Sequence, residues 1–213
     1  MPAEAKRMSP AAVRILRAAA ELIALRGYSA TSTRDIAAAV GVEQPAIYKH
    51  FSAKRDILAA LVRLALERPL ELIDELTTLP APAVVKLHRW LRESLDHLHA
   101  SPYVLVSILV TPELQEDSFT KERELISQME RALVGLIETA QAEGDVRAMN
   151  SLSAARLVQA LFDALALPEI AVSPDEIVEF AMTALLANPK RLAKICSAAD
   201  ALNIETARRN TAI

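Results

Sequence analysis

Residues 31–51 read TSTRDIAAAVGVEQPAIYKHF, and this stretch decides the fold. Ser32 precedes a short helical run and Asp35 follows three residues later, the Ser-x-x-acid pattern of a capping box with Asp in place of the commoner Glu. Ile36, Ala37 and Val40 fall on one face of that helix. Gly41 stops it where a residue with positive φ is usually needed. After Glu43 a second short helix is expected to run to about His50, with Ala46, Ile47 and Phe51 available to pack. Two short helices joined at a glycine, with the small Ala37 allowing a close crossing, make a helix-turn-helix.

The outer surface of the second helix carries Gln44, Pro45, Tyr48, Lys49 and His50. Glutamine can hydrogen-bond base edges, Tyr and Lys can reach phosphates, and Ala46 is small enough to meet a thymine methyl. The competing reading is an ordinary helical hairpin with a solvated polar face. Charge distribution favours the first reading. The 213-residue chain has a net charge of −3, which by itself argues against a nucleic-acid partner. Residues 1–55, however, hold nine Lys/Arg and four Asp/Glu, a net of +5, and the remainder holds fifteen and twenty-three, a net of −8. A basic N-terminal quarter on an acidic body suits one DNA-facing module, chance asymmetry being the alternative.

The flanks extend the pattern. Ile15, Leu16, Ala18, Ala19, Gly27 and Tyr28 lie upstream, and His50, Phe51 and Lys54 downstream. Together with Thr31, Ser32, Ile36, Ala37, Gly41, Val42, Ile47 and Tyr48, they resemble the DNA-binding region of the TetR (tetracycline-repressor-like) family of transcriptional regulators. Ile23 and Glu43 depart from that pattern; a carboxylate at residue 43 favours the helix dipole and repels phosphate. The expected DNA-contact set is Thr31, Ser32, Arg34, Gln44, Pro45, Ala46, Tyr48, Lys49, His50 and Lys54, the last in the first turn of a fourth helix capped by Ser52.

Beyond the head the chain reads as helices punctuated by proline. Four glycines and 4% aromatics point to helix rather than sheet. Helices are expected over about 83–100, a short apolar stretch before Thr111-Pro112, 117–143, 153–167 and 174–188, with one more in the tail. Helix four is expected to kink or break near Pro69. The fold class is therefore all-α: a three-helix head over residues 10–58, a ligand-binding and dimerisation body over 59–189, and a tail over 190–213.

Trp90, His97, Tyr103, Met129 and Phe162 are the candidates for a mostly apolar ligand pocket, with simple core packing as the rival reading. The polar atoms of Trp90 and Tyr103 need partners when buried, which makes them the best candidates. Leu157, Leu161 and Leu165 on one late helix, and Ile177, Phe180 and Ala184 on the next, form apolar faces. The resemblance places the dimer interface in these two helices, as a four-helix bundle. It also implies a transcriptional regulator, most often a repressor relieved by a small molecule, with operator DNA, an effector and a second copy of the chain as partners.

No Cys cluster, His-Glu-x-x-His pattern, Gly-rich phosphate loop or Gly-x-Ser-x-Gly elbow is present, so neither metal, cofactor nor enzymatic chemistry is expected. Single Cys196, no signal-type apolar core near the N-terminus and no charge-free stretch of membrane length suit a cytoplasmic protein. Two other classes remain open at this level: a helical small-molecule-binding protein whose head does not bind DNA, and an all-α enzyme using Trp90 and the histidines.

Overall fold

The computed structural model describes residues 8–101, 105–166 and 172–203. Ten α-helices make up the described chain: α1 Pro10–Arg26, α2 Thr33–Val40, α3 Gln44–Tyr48, α4 Lys54–Thr78, α5 Ala83–Ala100, α6 Leu105–Leu109, α7 Thr120–Ala142, α8 Ser151–Phe162, α9 Pro174–Leu185 and α10 Leu192–Asp200. Short 3-10 turns at Pro112–Gln115, Asp117–Phe119, Asp163–Ala166 and Pro189–Arg191 join several of them. The sheet content of the described residues is one isolated bridge, Val146 to Leu186, which ties the turn after α7 to the end of α9.

Local chemistry explains most boundaries. Ser9 caps α1 by accepting from the Ala12 amide, and Pro10 sits at the first helical position, where its missing N–H is not needed. Ser173 and Glu176 form a complete capping box on α9. Asn150 starts α8 earlier than expected, by accepting from the Ser153 amide. Helix α4 departs from expectation at its start and at Pro69. Ala53, not Ser52, is its N-cap residue, and Asp56 accepts the Ala53 amide at 3.0 Å. The helix then continues through Pro69 to Thr78 without a break.

Side chains of α5 brace the helix around this residue. A proline inside a helix removes the N–H that would reach the carbonyl four residues earlier, here Ala65 O, and the α5 contacts fall on either side of that carbonyl. The Trp90 indole Nε1–H donates to Pro69 O at 2.9 Å, and His97 Nε2 lies 3.0 Å from Leu64 O. A carbonyl only accepts, so His97 carries its hydrogen on Nε2. Both side chains therefore brace α4 on either side of the irregular turn. Arg68, on the same turn, pairs with Glu75 at 3.1 Å and with Glu93 of α5 at 3.7 Å.

The head packs Ile15, Leu16 and Ala19 of α1 against Ile36 and Ala37 of α2, Ile47 of α3 and Leu58 of α4, all buried. The body packs α5 against the second half of α4 and against α7, with Leu91, Leu95, Leu133 and Ile137 buried between them. Helix α10 lies against α5, where Arg89 donates to Ala199 O at 3.3 Å and the Cys196 thiol sits 3.2 Å from His88 Nε2. Head and body meet at a second place besides α4. The loop between α1 and α2 docks on residues 112–119: Ser29 donates both its amide (3.1 Å) and its hydroxyl to Glu113 Oε1, and Tyr28 meets Phe119 edge-on at 6.1 Å.

Candidate nucleic-acid interface

The helix-turn-helix is set by two local devices. Ser32 and Asp35 form the full capping box: the Ser32 amide and hydroxyl donate to Asp35 Oδ2 at 2.8 and 2.6 Å, and Ser32 Oγ accepts from the Asp35 amide at 3.1 Å. These donors hold the Asp35 carboxyl below its usual range. Gly41, with φ 75° and ψ 37°, takes the left-handed conformation that ends α2, and its amide returns to Ala37 and Ala38. The chain then enters α3 with Pro45 in the first turn and Ile47 buried beneath it. Helix α3 ends at Tyr48, two residues before the expected His50, which instead closes a turn by donating to Ile47 O.

Burying Ile47 turns the rest of α3 outward. Pro45, Lys49 and His50 are exposed, Gln44 and Ala46 half-buried, and Tyr48 keeps 48% of its surface. Arg34 is exposed at the start of α2 beside them. Gln44, Tyr48 and the hydroxyl of Thr33 form a triangle: Gln44 Nε2 lies 2.8 Å from Thr33 Oγ1 and 3.2 Å from the Tyr48 hydroxyl, and the two hydroxyls are 3.3 Å apart. His50 Nδ1 is 3.4 Å from Ser9 Oγ, which ties the start of α1 to the end of the motif. Arg14 donates to Val40 O at 2.9 Å and braces the motif from behind.

Three residues of the expected contact set have other work in the fold. Thr31 is only 1% exposed; its hydroxyl donates to Gly27 O and its amide to Tyr28 O. Both donor groups of Ser32 are committed to Asp35. The Lys54 ammonium donates to Tyr28 O and Thr31 O, each at 2.8 Å, and sits 4.0 Å from the centre of the Tyr28 ring. A cation so engaged is a brace for the 27–31 loop rather than an unoccupied phosphate anchor, because its ammonium hydrogens already face two carbonyls and a ring. Thr33 was missed by sequence reasoning. Its partner Gln44 lies eleven residues away, and no local motif links the two.

In the body, Trp90 and Met129 are buried, Phe162 is half-buried and stacks on Trp90 with centroids 6.2 Å apart, and His97 is half-buried. The Trp90 N–H and the His97 Nε2–H are both used by α4 carbonyls, so Trp90 offers only apolar surface, while His97 keeps its Nδ1 as an acceptor. Tyr103 lies outside the described residues. Of the six expected seam residues, Leu157 and Phe180 are 64% and 65% exposed and Ala184 is exposed, while Leu161 and Leu165 are half-buried. Ile177 is a correction: at 4% exposure it belongs to the core of its own protomer. A groove of about 440 Å³ between α4 and residues 117–122 is lined by Arg55, Asp56, Arg63, Asp117, Lys121 and Glu122, too charged for an apolar ligand. Among the described residues no cluster of three or more His, Cys, Asp or Glu could hold a metal, and no helix is long and apolar enough to cross a membrane.

Residues 15–61 match the family model described as "Bacterial regulatory proteins, tetR family". No curated protein matches the chain significantly. Among solved structures, Mycobacterium smegmatis AmtR is 31% identical, with 93% of this chain and 96% of that chain covered and a TM-score of 0.76. PfmR of Thermus thermophilus, a TetR family transcriptional regulator, is 24% identical, covering 81% and 97% with a TM-score of 0.65. AibR in complex with isovaleryl coenzyme A and operator DNA shares the fold at 21% identity, covering 82% and 97% with a TM-score of 0.68. The motif geometry, the basic head and these likenesses agree: the chain belongs to the TetR family of bacterial regulatory proteins and is a DNA-binding transcriptional regulator.

Proposed function

We propose that the protein is a homodimeric repressor that leaves a palindromic operator when a small, mainly apolar ligand binds its body. Residues 10–58 form the DNA-binding head, 59–189 the ligand-binding and dimerisation body, and 190–213 the tail. The observation that carries the reading is the outward face shared by α2 and α3. There Arg34, Lys49 and His50 can meet phosphate, while Gln44 and Ala46, flanked by Pro45 and Tyr48, can meet base edges.

Two-fold operators need two heads at fixed spacing. The exposed Leu157, Phe180 and Ala184, together with half-buried Leu161 and Leu165, support dimerisation through α8 and α9. A ligand effect is supported by AibR, which has been seen with both an acyl coenzyme A and operator DNA. The ligand would enter around Trp90, Met129 and Phe162, contacting ring faces and aliphatic surface. It can release DNA only to the extent that it binds better to a conformation whose heads are wrongly spaced. Body and head are linked through α4 and through a second area where Ser29 meets Glu113, Tyr28 meets Phe119 and α1 packs on α6. We read the protein as a binding protein rather than an enzyme.

Selecting bound duplexes from random DNA tests the reading directly. The expected result is a palindromic site bound with a steep salt dependence. Lys49→Ala should weaken all duplexes alike and make the slope of log affinity against log salt shallower by about one unit. Failure to enrich any duplex would favour a small-molecule-binding protein without DNA binding.

A further inference from the structure

Thr33, at the first position of α2, turns its hydroxyl toward the amide of Gln44, the first residue of α3. A primary amide has two N–H hydrogens and one carbonyl oxygen. The Gln44 nitrogen lies 2.8 Å from Thr33 Oγ1 and 3.2 Å from the Tyr48 hydroxyl, so both hydrogens have an acceptor inside the protein. With Thr33 only 9% exposed, that anchor is shielded from competing water. The carbonyl oxygen Oε1 has no hydrogen bond among the described residues and is the end of the side chain left for a partner.

Which end of the amide meets the hydroxyls decides what Gln44 offers to DNA. With the carbonyl inward, the Tyr48 hydroxyl would donate to Gln44 and could only accept from a partner. Phosphate oxygens are themselves acceptors, so Tyr48 would then have nothing to give them. With the nitrogen inward, Tyr48 accepts from Gln44, and with Thr33 donating across the 3.3 Å contact between the two hydroxyls it keeps its own O–H for a phosphate. The arrangement with nitrogen inward thus presents one acceptor and one donor at neighbouring points of the same surface.

We propose that Thr33 is a positioning residue which, with Tyr48, fixes Gln44 so that it reads a single base amino group through Oε1. This deepens the DNA-binding reading and rests on it. Glutamine commonly meets adenine with two hydrogen bonds, accepting from N6 and donating to N7. Here the donors are engaged, so the N7 contact is lost. The base recognised is one that offers an amino group in the major groove: N6 of adenine or N4 of cytosine. Discrimination at that position is accordingly shallow, about three- to tenfold, in line with one hydrogen bond rather than two.

The test uses the full-length protein and the duplex it selects. The Gln44 position is located as the base pair whose preference vanishes in Gln44→Ala. At that position adenine is replaced by purine lacking the 6-amino group, or cytosine by its analogue lacking the 4-amino group, and separately the purine is replaced by its 7-deaza form. Loss of about three- to tenfold on removing the amino group, with no loss on removing N7, is the expected result. Thr33→Val, close in shape, should flatten base preference at this position alone and abolish its sensitivity to the amino group. Tyr48→Phe, which keeps the Thr33 anchor, should flatten it less. Sensitivity to N7 instead of the amino group would overturn the proposal, as would a Thr33→Val protein that keeps the wild-type preference. If wild type selects no duplex at all, the DNA-binding reading itself falls. That outcome is distinct from selection with the wrong functional-group dependence.

Discussion

Phe180→Asp should separate the proposed dimer into folded monomers. Phe180 keeps 65% of its surface in the isolated protomer, and Leu157 of α8 keeps 64%. A phenylalanine offers roughly 150–250 Å², so about 100–160 Å² of Phe180 is available to a partner. At about 25 cal/mol per Å², full burial of that area contributes roughly 2.5–4 kcal/mol per protomer. Two-fold symmetry uses the residue twice, giving an upper figure of about 5–8 kcal/mol for the pair. Aspartate removes this and adds a charge to an apolar seam, so the dimer dissociation constant should rise on the order of a thousandfold. The fold should survive, because the substituted side chain is not part of the protomer core. Sedimentation velocity over a concentration series reads the assembly, and thermal melting of the monomer reads the fold. Leu25→Asp is the matched control, since Leu25 is 79% exposed on α1, far in sequence from α8 and α9. A Phe180→Asp protein that dissociates within about threefold of wild type would refute the assignment of α8 and α9 as the seam.

Three further outcomes are expected. Lys54→Met should lower stability by about 1.5–3 kcal/mol in urea unfolding, the usual worth of charged hydrogen bonds, and leave the salt slope of DNA binding unchanged; a shallower slope would restore Lys54 as a phosphate anchor. Glu113→Ala removes the acceptor of both Ser29 donors and should change unfolding by less than about 1 kcal/mol, while reducing the factor by which ligand weakens operator binding; an unaltered factor would show that the Ser29–Glu113 contact carries none of the signal. His88 is held below the usual histidine range by burial, against an opposing pull from Asp200 and with help from Arg92 and Arg89, and its other contact is the Cys196 thiol. The unfolded chain therefore takes up a proton on this ring before the folded one does, so stability should fall as pH drops through about 6.5 and be flat above it. Urea midpoints between pH 5.5 and 7.5 measure this, and His88→Gln should lose that part of the slope.

What could be read from the sequence was whatever depends on neighbours along the chain. The Ser32–Asp35 and Ser173–Glu176 boxes and the turn at Gly41 all appear as the spacing implies, because a cap is made within a few residues. The tryptophan rule also worked in part: a buried indole needed a partner, and it has one. That the partner is a carbonyl in a helix twenty-one residues earlier lies beyond any local pattern. The same limit explains Lys54, whose acceptors are twenty-six and twenty-three residues upstream, and Thr33, whose role exists only once α3 is folded across α2. Ile177 shows a different limit. The outward side of α9 carries Phe180 and Ala184 among Asp175, Glu176, Glu179 and Thr183, and Ile177 lies on the opposite, buried side; taking every apolar residue of the helix as one face merged the two.

Pro69 gives α4 the mechanics of a jointed lever. The helix is 25 residues long, or about 37 Å, and the proline lies fifteen residues from Lys54, an arm of about 22 Å. One ladder hydrogen bond is missing there, and Trp90 and His97 of α5 hold carbonyls on either side of the gap. A change of about 10° at that joint would carry the Lys54 end sideways by roughly 4 Å, close to the rise of one base pair, and opposite swings in two protomers would double it. A small shift of α5 is therefore geared up, by arm length alone, to the scale on which a reader of helical DNA loses register with its second half-site.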